Sequence, residues 1–428
     1  MQSNYSKIGP YIRRIDQRNV SDKKENLLGV SVSKVFMKSI ANTVGTDFRT
    51  YKIVKRGQFT YIPDTSRRGE KIGIALLDSY DEGLVSPVYT VFEVSDTDKL
   101  DPEYLMMWFR RPEFDRYARF ISHGSVREVF EWEDMKNVSL PLPAIEKQRE
   151  IVAEYHTIQK RITINNQLIQ TLETTAQAIY KQWFVEFEFP NEAGQSYKSS
   201  GGELVESELG EIPKGWEVKR LEELTKQICV AFVGSVFEYY CTKEIGVPML
   251  RTTNVTKSGV SYKDLKYVTK EFHARNKKSQ LKKGHLLVSR HGDNGMPIIF
   301  NEEFEANALN VIIIKPDATL MNSKLIHCFL TSASSLEHIQ SSVGGSVQDV
   351  LNTKKISDIK IAYPADRSIV KSIAPKLETI QTAIDIALKQ KDMLEDFSSL
   401  LLSKLATIES TTPAPAANKP AQLTLAFA

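Results

Sequence analysis

Between Ile151 and Trp183 the apolar positions advance in alternating steps of four and three: Ile151, Tyr155, Ile158, Ile162, Asn165, Ile169, Leu172, Ala176, Ile179 and Trp183. This is a heptad seam with one polar rung, and it predicts a long helix whose narrow stripe is buried against another helix. A second seam has the same order of steps: Ile373, Leu377, Ile380, Ile384, Ala387, Lys391, Leu394, Ser398, Leu401 and Leu405. Each rung stands 222 positions after its counterpart, 373 against 151. A buried Lys391 is costly, so the seam is expected to open there or to bring Lys391 against a carboxylate.

The likeness extends upstream of both helices. Gly124, Ser125, Val126, Val138 and Pro143 find matches in Gly345, Ser346, Val347, Ile359 and Pro364, and VKRGQFTYI around Gly57 resembles LKKGHLLVS around Gly284. The chain therefore reads as two copies of one unit, each a mixed module followed by a long helix, which makes the fold class α+β. Residues 1–145 form the first module: YKIVKRGQFTYIP and SPVYTVFEV are strand-like, and DPEYLMMWF starts a helix with Asp101 or its neighbour as cap and Pro102 in the first turn. A helix follows over 146–189, then a Gly-rich and polar linker over 190–211. The second module covers 212–365, with strands at HLLVSR and ALNVIIIKP, and its helix covers 366–410. The stretch 411–428, rich in Pro and Ala, reads as a disordered tail.

Composition narrows the class. Forty-one per cent hydrophobic and 25% charged residues in 428 suit two globular modules, and a net charge of +3 neither demands nor excludes nucleic acid. Cys229, Cys241 and Cys328 form no C-x-x-C pair, which points to plain thiols. The first residues lack the apolar run of a signal peptide, and no later run reaches the length of a membrane span, so a cytoplasmic location without membrane contact is expected.

Phosphate-loop, metal-helix and nucleophile-elbow motifs are all missing. Asp64, Glu70 and Lys71 resemble a metal-dependent nuclease arrangement only faintly, because Glu70 and Lys71 are adjacent; no catalytic residue and no metal ligand is assigned. Basic residues accumulate instead. In the first module Arg13, Arg14, Arg18, Arg49, Lys52, Lys55, Arg56, Arg67, Arg68 and Lys71 cluster, with Tyr51 and Tyr61 between them. The second module supplies Lys263, Lys266, Lys270, Arg275, Lys277, Lys278, Lys282 and Lys283. Such clusters are either solvated surface or contacts to DNA phosphates, and their presence in both repeats raises the second reading. Candidate base readers are Arg127 and Gln348, close behind the repeated Gly-Ser-Val, and Arg290, His291 and Asn294 in the turn RHGDNG. A helix of about 33 residues measures roughly 50 Å, enough to hold two readers one DNA turn apart.

At this point the residues IEKQREIVAEY, AIYKQWFVEFEFP and LGEIPKGWEVKRLEEL resemble recurrent segments of the specificity subunits of type I restriction-modification systems. That resemblance implies two target-recognition domains, each reading half of a split double-stranded DNA sequence, separated by two long helices packed as an antiparallel coiled coil. It also implies a non-catalytic chain. Modification subunits using S-adenosylmethionine would methylate adenine and dock on the helices; a restriction subunit with motor and nuclease activity, using ATP and magnesium, would join them. The segment ADRSIVKSI lacks the Gln of IEKQREI, so the two helix starts are expected to dock differently. A coiled-coil scaffold and a stand-alone DNA enzyme are the alternative readings.

Overall fold

The structure, a computed structural model, describes residues 5–40, 45–64, 71–122, 128–256, 259–290, 296–341 and 351–408. Residues 1–164 with 391–428 make one unit, and residues 165–390 the other. The tail 411–428 lies outside the described residues.

Both units are built on an antiparallel four-stranded sheet. In the first the order is Ile12–Ile15, Thr90–Val94, Phe59–Tyr61, Ile74–Leu76; in the second it is Thr225–Val230, Val311–Pro316, His285–Ser289, Pro297–Phe300. In chain order each sheet runs first, fourth, second, third, so the repeat read from apolar spacing is also a repeat of topology. The turn ahead of the second strand needs a left-handed residue in both, and Gly57 (φ +83°) and Gly284 (φ +87°) supply it. Their N–H groups donate to Leu77 and Phe300 at 2.8 Å each. A short pair closes each module: Tyr5–Lys7 with Ser139–Pro141, and Trp216–Arg220 with Lys360–Pro364.

The helices on these sheets start where local chemistry directs. Asp101 accepts from the N–H groups of Glu103 and Tyr104 at 2.8 and 3.1 Å and begins Pro102–Arg110, whose Tyr104, Leu105 and Phe109 are buried. Asn322 does the same for Ser323–Leu330 through Leu325 N–H at 2.9 Å. The stretch ALNVIIIKP breaks into two strands at Asn310 (φ +55°). Ala306–Leu309 joins a five-stranded sheet that also holds Tyr240–Cys241, Lys266–Val268, Val247–Arg251 and Gln280–Leu281, while Val311–Pro316 stays in the four-stranded one.

The long helices are Ile145–Phe184 and Arg367–Lys404. Every rung of both seams is shielded from solvent wholly or in part. Ile151, Tyr155 and Leu405 belong to the core of the first unit; Ala176, Trp183, Ile373 and Leu377 belong to that of the second. Two polar rungs of the second seam find partners: Ser398 Oγ accepts from Gln159 Nε2 at 2.9 Å, and Lys391 Nζ stands 3.8 Å from Glu395.

The starts of the two long helices are held by different side chains. Gln148 is fully buried, accepts from Asp101 N–H at 2.9 Å, and donates to the carbonyls of Lys99 and Pro143. In the second unit Val370 is buried one turn into the helix, and the cap reaches the other way, Asn322 Nδ2 donating to Ala374 O at 3.1 Å.

One sequence expectation is corrected. Residues 190–211 are not a free linker, because aromatic stacking and a hairpin organise them. The first long helix ends at Phe184, and Phe187 (φ +57°) turns the chain back. Phe189 then stacks between Tyr197 and Trp216, with centroids 4.7 and 5.2 Å away, and Leu204–Ser207 pairs with Gly210–Pro213.

Candidate nucleic-acid interface

The basic residues sort into three physical groups. In the first, a carboxylate already holds the cation. Arg13 on Ile12–Ile15 faces Glu93 across the sheet, its Nε donating at 2.7 Å. Arg49 donates to Asp47 at 2.9 Å, and that guanidinium holds the Asp47 carboxyl below its ordinary range. Arg56 reaches Asp81 at 3.0 Å and also donates to Asp78 O; Lys283 pairs with Glu303, which raises the lysine above its usual value. These pairs stand in solvent, where screening and side-chain freedom leave them weak, so a phosphate can exchange with the carboxylate.

The second group is tied into the fold. Lys52 is only 3% exposed and donates to Tyr89 O at 2.7 Å, burial lowering its pKa. Arg290, expected to read bases, uses Nη1 on Asn310 Oδ1 at 2.7 Å and Nε on Leu351 O at 3.2 Å, a structural anchor. Tyr61 is fully buried and belongs to the core. Sequence spacing cannot show any of these commitments, because the partners are distant in the chain.

The third group consists of exposed cations in no ion pair among the described residues. It contains Arg14, Lys55 and Lys71 in the first unit, and Lys263, Lys266, Lys270, Arg275, Lys277, Lys278 and Lys282 in the second. The second cluster is the denser. Arg275 ends the helix Lys270–Arg275, Lys277 and Lys278 follow in the turn Lys277–Ser279, and Lys282 sits beside the Gly284 turn. Arg67, Arg68, Arg127, His291, Asn294 and Gln348 lie outside the described residues, as does Glu70 of the faint nuclease pattern.

The basic loop of the second unit is held at its base. Ser279 Oγ accepts from Phe232 N–H at 2.7 Å, and Asn276 Nδ2 donates to Phe272 O at 2.9 Å. Among the described residues no group of three or more His, Cys, Asp or Glu could hold a metal ion, and no helix is long and apolar enough to cross a membrane.

The chain matches known proteins along nearly its whole length. The family described as "Type I restriction modification DNA specificity domain" matches residues 3–174 and again residues 213–396. The type I restriction enzyme MjaIX specificity subunit of Methanocaldococcus jannaschii is 26% identical over 309 residues, 69% of this chain and 68% of that protein. The HindI specificity subunit of Haemophilus influenzae is 27% identical over 225 residues, 51% of this chain and 48% of its own. The crystal structure of the S subunit of a type I restriction-modification system from M. genitalium superposes with a TM-score of 0.54 at 13% identity, covering 94% of this chain and 95% of that one, a likeness of fold. Two matches to one domain, falling on two modules of one topology, place this chain in the family of type I restriction-modification DNA specificity subunits.

Proposed function

We propose that the chain is the DNA-recognition subunit of a type I restriction-modification complex, in which each module reads one half of a split double-stranded target. The observation that carries this reading is the duplicated construction: the same sheet order, the same left-handed glycine turn and the same capped helix, with exposed cations beside them in both units. Exposed Lys and Arg bind phosphates without regard to sequence and bring loop side chains to the base edges.

The two seams support packing of the long helices as an antiparallel coiled coil that acts as a spacer between the half-sites. Catalysis belongs to partners in this reading. Modification subunits carrying S-adenosylmethionine dock on the helices and methylate adenine, and a restriction subunit with ATP and magnesium completes the complex, all in the cytoplasm. The test is reconstitution. The modification subunit should transfer methyl groups to DNA adenine only when this chain is added, while the chain alone should neither cut nor methylate. Methylation or cleavage by the chain alone would move the stand-alone enzyme ahead.

A further inference from the structure

In the second unit the loop after the outermost strand of the four-stranded sheet carries an aromatic ring into solvent. Phe237 is 80% exposed and Val233 62% exposed, yet the loop between them is firmly held. Val236 is buried, and Phe232 and Tyr239 both pack on Phe272 with ring centroids 5.2 and 5.0 Å away. Thr269 N–H donates to Tyr239 O at 2.9 Å, and Phe232 N–H donates to Ser279 Oγ at 2.7 Å. Phe272 lies in Lys270–Arg275 and Ser279 in Lys277–Ser279, so both limbs of the loop are fastened to the elements that bear Lys270, Arg275, Lys277 and Lys278.

The first unit has a counterpart. The loop after its own outermost strand, Ile12–Ile15, exposes Val20 to 80%, next to fully buried Asn19, whose Nδ2 donates to Lys23 O at 2.8 Å and Phe48 O at 3.1 Å. A single exposed apolar residue is ordinary. One carried on a loop fastened at its base, in the loop that follows the first strand of the sheet in both repeats, and in the second tied to the elements that bear unpaired cations, asks for a ligand with a flat apolar face inside an anionic frame. A base step of duplex DNA is such a ligand.

We infer that Phe237 is a wedge that enters a base step of the half-site bound by the second unit, with the unpaired cations of those elements on the neighbouring phosphates. Apolar side chains inserted in this way unstack the step, so preference arises from the ease with which a given step opens, at positions without hydrogen-bonded base contacts. Val20 is the smaller counterpart and is expected to press on a step without entering it.

This inference rests on the recognition role proposed above, and the test separates the two. The full chain is assembled with its modification subunit and titrated with a duplex oligonucleotide carrying the motif methylated in cells, with 2-aminopurine placed at successive positions. Binding should brighten the probe at one step. Phe237→Ala should weaken binding roughly tenfold, the size of one lost aromatic–base contact, abolish the brightening, and leave the slope of log affinity against log salt unchanged. Lys277→Ala with Lys278→Ala should lower that slope by about two, because each phosphate contact contributes about 0.9. Phe237→Trp should restore affinity, and an unchanged thermal midpoint shows that each variant folds. If wild-type binding brightens no position and Phe237→Ala binds as wild type, the wedge is refuted while the recognition role stands. If the wild-type complex shows no salt-dependent affinity for the duplex, both fall.

Discussion

Lys34 and Asp115 show how single residues stabilise the first module. Both are buried, Nζ stands 2.8 Å from Oδ1, and Asp115 also accepts from Ile72 N–H at 3.1 Å. Burial lowers the Lys34 pKa and Asp115 opposes that shift, so the lysine depends on its partner. Asp115→Ala should destabilise the first unit by about 3–5 kcal/mol, read from denaturant unfolding, because it strands a buried cation. His327 sets a pH limit on the second unit. Burial, helped by Lys324 and opposed by Glu173, pushes its pKa down to about 4. The unfolded chain then binds more protons between pH 4 and pH 6.5, so the stability contribution is complete above pH 6.5 and is lost as pH falls toward 4, on the order of 1–3 kcal/mol. Thermal midpoints across that range should decline, and His327→Gln should flatten the decline; an unchanged slope in the variant would contradict the assignment.

At the scale of elements, what could be read from the chain was what local chemistry determines. Asp101 and Pro102 mark a helix start because cap and first turn are adjacent, and the seams are legible because a heptad repeats within one helix. Pro375 lies inside Arg367–Lys404 without ending it, its ring on the exposed face. The order of residues 190–211 comes from Phe189 between Tyr197 and Trp216, a contact that polar and glycine-rich composition conceals. The anchoring of Arg290 is hidden from the sequence for the same reason, its partners Asn310 and Leu351 being brought in by the fold. Phe237 carries no local signal, because in AFVGSVFEYY it is one of several neighbouring apolar residues and only the structure separates buried Val236 from exposed Phe237. Asn165, a nearly buried polar rung, is expected to set helix register at some cost in stability. Asn165→Leu should raise the melting temperature while impairing assembly with the modification subunit; unimpaired assembly and unchanged target spacing would remove that role from Asn165.

For the whole molecule, the duplicated topology predicts that half-site choice and half-site spacing are separable. Deleting one heptad from each long helix, about 10 Å of rise, should change the gap in the recognised sequence and leave both half-sites as they were. The most direct test of the central claim is genome-wide mapping of methylated adenines in cells that carry this chain with its neighbouring modification subunit, beside cells lacking only this chain. The account predicts a split motif with a fixed gap that disappears on deletion. Methylation that persists unchanged without the chain, while the modification subunit is active, would contradict it.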